Sequence, residues 1–150
     1  MSVIRRQPKL AIAWVALTLA FGIHVADEAL HDFLAFYNPL AMSLRDMLLW
    51  TWMPTFEFGA WLGWLIGAVA ALLSMSWFAF YRARWMVWTS FCYGLVMLLN
   101  GLLHLGASAY LQKEVPGVWS APLLGGCGAW LLVEAVREWR SGGVSGASRP

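Results

Sequence analysis

Charge is scarce in this chain. Asp, Glu, Lys and Arg make up 12% of its 150 residues, against about 25% in soluble globular domains. Cysteine is scarcer still: Cys92 and Cys127 both lie inside apolar runs, which leaves no spaced framework for a disulfide scaffold or a zinc ribbon and leads us to expect each as a small core residue. The formal net charge is only +2, and most Lys and Arg flank apolar runs, so nothing points to nucleic acid. Walker loops, dinucleotide fingerprints, nucleophile elbows and haem-attachment motifs are missing too. What remains is apolar. Hydrophobic residues make up 61% of the chain and gather into runs of about 20, the length an α-helix needs to cross a bilayer core of roughly 30 Å.

These runs imply an all-α fold, a four-helix transmembrane bundle. The expected spans are 10–26, 58–81, 85–105 and 118–136, in one integral-membrane domain over residues 1–140 with a disordered, Gly- and Ser-rich tail at 141–150. This arrangement puts Arg5, Arg6, Lys9, Arg82, Arg84, Arg137, Arg140 and Arg149 on one side and Arg45 and Lys113 on the other. By the positive-inside rule the expected protein is multi-pass, in a bacterial inner membrane, with both termini cytoplasmic. The step Thr18-Leu19-Ala20 also admits a signal-peptide reading, but the apolar run continues past it towards His24, which suits a retained helix better.

Between the first two spans, Asn38-Pro39 is expected to break the chain. A short amphipathic interfacial helix then starts after Ser43 and carries Leu44, Met47, Leu48 and Trp50, with Pro54 beyond it. In the second span Gly59, Gly63, Gly67 and Ala71 recur every four residues and form a face that admits close helix packing, within the chain or in a homodimer. Glu134, Arg137 and Glu138 lie within one turn and predict a local ion pair.

The informative residues are ionisable groups at membrane depth, which cost free energy and usually face a bundle interior or a polar site. His24, Asp27, Glu28 and His31 share one helical face if the first helix continues past Ala26. Asn100 and His104 share a second, and Glu57 stands at the start of the second span. A rise of about 1.5 Å per residue puts His24 some 22 Å beyond Lys9, and Asn100 and His104 about 24 and 30 Å beyond Arg84. These are similar levels. Imidazole and carboxylate are fitting ligands for zinc or iron, and Glu28-Ala29-Leu30-His31 has the Glu-x-x-His step that bundle metal sites use. The plainer reading of the same groups is a structural polar cluster, with His24 bonded to Glu28 one turn on.

Phe21-Gly22-Ile23-His24-Val25-Ala26-Asp27-Glu28 resembles the signature of the HXXEE-domain family, small multi-helix membrane proteins. Asn100-Gly101-Leu102-Leu103-His104 followed by Val115-Pro116-Gly117-Val118 is similar to that family's later Asn-x-x-x-His and Pro-Gly segment. The sequence departs from the motif at Asp27, where the family has Glu, which favours Glu28 as the ligand or base. The resemblance implies a site rather than a particular reaction.

The expectation is therefore a membrane-embedded enzyme acting on a lipid or apolar small molecule. His24, Glu28, His31 and His104 are its candidate metal ligands, Glu28 and Asp27 its candidate catalytic carboxylates, and Glu57 and Asn100 its supporting groups. The alternative is a non-catalytic protein that binds a cation or protons, or a small transporter subunit, paired through the Gly59/Gly63/Gly67 face.

Overall fold

The computed structural model describes residues 9–49, 52–81 and 83–144, with side chains to 141. These residues form five α-helices and no strand: α1 (Lys9–Leu30), α2 (Phe33–Leu48), α3 (Phe58–Phe80), α4 (Trp85–Leu111) and α5 (Ala121–Val144). α1, α3 and α4 are each long and apolar enough to cross a membrane, which by length and composition marks the chain as a membrane protein. α5 is as long, but Glu134, Arg137, Glu138 and Arg140 charge its second half. Three clear spans, rather than the expected four, follow from that composition. Arg5, Arg6, Arg82 and Arg149, which enter the charge asymmetry, and Trp50 lie outside the described residues.

α1 is the centre of the bundle, packed against α3 on one side and α5 on the other, and α5 runs along α4. Ala13, Trp14 and Leu17 of α1 are completely buried. Trp14 has an N–H to satisfy, and its Nε1 donates to the Leu72 carbonyl of α3 at 2.9 Å. This bond pins the two helices where lipid offers no alternative partner.

The glycines that let helices approach closely are not the periodic ones of α3. A Cβ on Gly128 of α5 would lie 2.8 Å from the Leu98 backbone nitrogen and 2.9 Å from the Gly94 carbonyl oxygen, and one on Gly94 would lie 2.9 Å from the Gly128 oxygen. Backbones meet there. Gly59, Gly63 and Gly67 instead face open space, because α3 turns its Leu62, Leu65, Val69 and Leu72 edge to the core. Of the two partners the glycine face admits, a helix of the same chain does not pack there among the described residues.

The connection between α1 and α2 also differs from expectation. The break falls at Asp32, whose φ of 54° is left-handed, a conformation Asp tolerates better than most residues. α2 then passes through Asn38 and Pro39 without stopping. A helix-interior proline costs about 3 kcal/mol, and tethers to the 53–56 segment hold the helix around it. Asn38 Nδ2 donates to the Phe56 carbonyl at 2.9 Å, the Phe56 N–H donates to Asn38 Oδ1 at 3.1 Å, and the Tyr37 hydroxyl donates to the Pro54 carbonyl at 3.1 Å. The amphipathic helix is thus longer than the sequence suggests and starts at Phe33, well before Ser43. At the other end, α5 continues to Val144 through part of the expected tail, and residues 145–150 lie outside the described residues.

Candidate metal centre

α1 does continue past Ala26, so His24, Asp27 and Glu28 share one face of an unbroken helix. His24 is fully buried and Glu28 is 6% exposed. α4 brings His104 to the same level. Nε2 of His104 lies 3.2 Å from Glu28 Oε1, and Nε2 of His24 lies 3.6 Å from the same oxygen. The two rings meet edge to face at 85°, with centroids 4.8 Å apart.

Hydrogen bonds fix which nitrogen of each ring carries the proton. His104 Nδ1 is 2.7 Å from the Pro116 carbonyl oxygen, which only accepts, so Nδ1 holds the hydrogen and donates it. His24 Nδ1 is 2.8 Å from Ser120 Oγ. The single Ser120 hydroxyl proton has two acceptors besides His24, Asp27 Oδ2 at 2.7 Å and the Gly117 carbonyl oxygen at 3.2 Å, of which the carboxylate is nearer and charged, and the Ser120 N–H donates to the same carboxylate oxygen at 2.9 Å. Ser120 Oγ therefore accepts from His24, and His24 Nδ1 is the protonated nitrogen.

In the neutral rings both Nε2 atoms are then bare. His24 Nε2 is buried without a hydrogen-bond partner, and a carboxylate oxygen stands between the two nitrogens. Three acceptors facing one another call for a positive charge at their centre, either a proton or a metal ion. One ligand atom from each of His24, Glu28 and His104 lies within 4.8 Å of the others. A tetrahedral zinc ion with bonds of about 2.0–2.2 Å would set its ligand atoms roughly 3.3–3.6 Å apart, close to the two contacts with Glu28 at 3.2 and 3.6 Å, with the group as a whole held to the wider bound of 4.8 Å. The outer hydrogen bonds are also those that orient metal-bound histidines, to a backbone carbonyl in one case and to a serine backed by a carboxylate in the other.

Gly117 makes room for this geometry. Its φ is +84°, and a Cβ there would lie 2.9 Å from His104 Cε1 and Nδ1 and from His24 Cε1. The turn between α4 and α5 therefore presses bare backbone against both imidazoles.

The remaining candidates stand outside the three converging ligand atoms. Asp27 uses Oδ2 for Ser120 and Oδ1 for His31 Nδ1, at 2.8 Å. It orients the site rather than joining its centre. His31 is largely exposed and also meets the Asp27 carbonyl. Glu57 is exposed and caps α3 without a side-chain hydrogen bond. Asn100 is half-buried, one turn before His104, and makes no side-chain hydrogen bond among the described residues. Sequence reasoning missed Ser120 altogether, since a lone serine carries no signal. Pro116 and Gly117 entered only through the family resemblance. Away from this cluster, the ion pair expected between Glu134 and Arg137 is present at 2.7 Å.

No protein-family model, curated protein or solved structure matches the chain. Fold and cluster together define its class, a helical membrane protein with a buried two-histidine, one-carboxylate cluster.

Proposed function

We propose that the chain is a membrane-embedded metalloenzyme acting on a lipid or other apolar small molecule, with His24, His104 and Glu28 holding a divalent ion, zinc or iron. One observation carries this reading: each imidazole has its Nδ1 proton committed elsewhere and its Nε2 aimed at the same Glu28 oxygen. Three protein ligands leave a coordination position for water or substrate, as catalytic zinc sites do. A bound ion of this kind polarises a carbonyl or phosphoryl oxygen and lowers the pKa of a coordinated water. The chain's own part is to fix both ring tautomers, through Ser120 and Pro116, and to place the Glu28 carboxyl between them.

In the same reading α5 is the fourth span, the basic ends of α4 and α5 are cytoplasmic, and the chain is a divergent HXXEE-domain protein. The support is the Lys and Arg asymmetry, together with the paired motifs around His24 and His104.

Membranes carrying wild-type protein or Glu28→Gln at matched levels test the activity. The lipid complement, profiled by mass spectrometry, should differ for at least one species between wild type and variant. Indistinguishable profiles from metal-replete protein would count against an enzyme. They would favour the second reading, a cation or proton held without turnover, for which the full burial of His24 speaks.

A further inference from the structure

A second site lies at the opposite end of α4 and α5, away from His24 and His104. Beyond the Gly94–Gly128 contact the two helices flank a groove of about 400 Å³, lined by Phe91 and Leu95 of α4 and by Val133 and Val136 of α5, and reaching Arg137 and Arg140. That volume falls within the range of about 300–1,000 Å³ typical of ligand pockets. On α5 Val133 and Val136 stand four residues before Arg137 and Arg140 respectively, so a single helical face runs from apolar to basic. An amphiphile has the same order of tail and head.

The charges suit a phosphate. Buried Glu134 holds the Arg137 guanidinium at 2.7 Å, yet the Arg137 side chain is 65% exposed. Arg140 is exposed and has no ion pair among the described residues, and no carboxylate lines the groove. Trp88 and Trp139 stand at this end of the bundle with ring centroids 5.3 Å apart, both well exposed. Exposed Trp at the end of a span marks the headgroup level of a bilayer, where basic pockets between helices take lipid phosphates.

We propose that this groove binds one phospholipid, with an acyl chain along Phe91, Leu95, Val133 and Val136 and its phosphate on Arg137 and Arg140. The site is independent of the metal centre.

Native mass spectrometry of the full, delipidated chain tests this, with dioleoyl phosphatidylglycerol as the probe and dioleoylglycerol as the same tails without phosphate. Arg140→Gln removes one phosphate contact while sparing the Arg137–Glu134 pair, and Val133→Trp fills the groove. Arg45→Gln is the control, and thermal unfolding confirms that each variant is folded. Wild type and the control should take up one phosphatidylglycerol per chain. Each groove variant should bind it about tenfold more weakly or worse, since a charge-assisted hydrogen bond is worth roughly 1.5–3 kcal/mol. Equal affinity in wild type and folded groove variants would overturn the proposal. So would dioleoylglycerol binding as tightly as the phospholipid, or a second copy of the chain occupying the groove.

Discussion

Ser120 and Asp27 lie 93 positions apart and share two hydrogen bonds, one from the serine hydroxyl at 2.7 Å and one from its backbone N–H at 2.9 Å, both to the same carboxylate oxygen. This double contact ties the start of α5 to the face of α1 that carries the site. It also leaves the serine oxygen free to accept from His24, so a surface-type residue sets the tautomer of a buried imidazole.

Ser120→Ala removes that acceptor while leaving all three proposed ligands. Loss of such an outer hydrogen bond weakens metal binding by about 10–100-fold. Ser120→Thr, which keeps the hydroxyl, should recover most of it. A competitive chelator titration with zinc measures both. Unchanged affinity in a folded Ser120→Ala protein would mean that His24 does not depend on this bond.

Gly117 sits in the left-handed region with both imidazoles against it. Gly117→Ala adds about 1–2 kcal/mol of backbone strain and a methyl group where the two rings stand. The expected result is a lower unfolding temperature together with loss of bound metal. Stability and metal content equal to wild type would contradict the described turn.

Glycine substitutions along the helices should separate into two groups. Gly94→Ala and Gly128→Ala push backbone against backbone, and overpacking of this kind costs about 1–3 kcal/mol. Gly63→Ala meets open space and relieves a helix-interior glycine, a gain of roughly 0.5–1 kcal/mol. Detergent unfolding curves of the three variants should show two less stable proteins and one as stable as wild type or more so. The reverse order would relocate the seam to α3.

Much of the site was legible because helical spacing is exact: steps of three and four put His24, Asp27 and Glu28 on one face, and helix rise put His104 at their depth. Its outer shell was not, since Ser120 reaches His24 across 96 positions of chain and no local pattern marks a serine as an acceptor. Small-residue periodicity misled for a related reason. A regular stripe on one helix, as at Gly59, Gly63 and Gly67, says nothing about a partner, whereas Gly94 and Gly128 work as a pair drawn from two helices. Asn38-Pro39 failed as a breaker because the tethers of Asn38 to Phe56 and of Tyr37 to Pro54 are tertiary, and Asp32 broke the chain without glycine or proline to announce it.

The most direct test of the metal centre is elemental analysis of purified protein from metal-replete growth, comparing wild type with His24→Ala, His104→Ala and Glu28→Gln, each shown to be folded. The account predicts close to one zinc or iron per wild-type chain and a marked loss in all three variants, while His31→Ala retains the ion. Metal-free wild-type protein, or metal retained equally in the folded His24→Ala and His104→Ala variants, would contradict it.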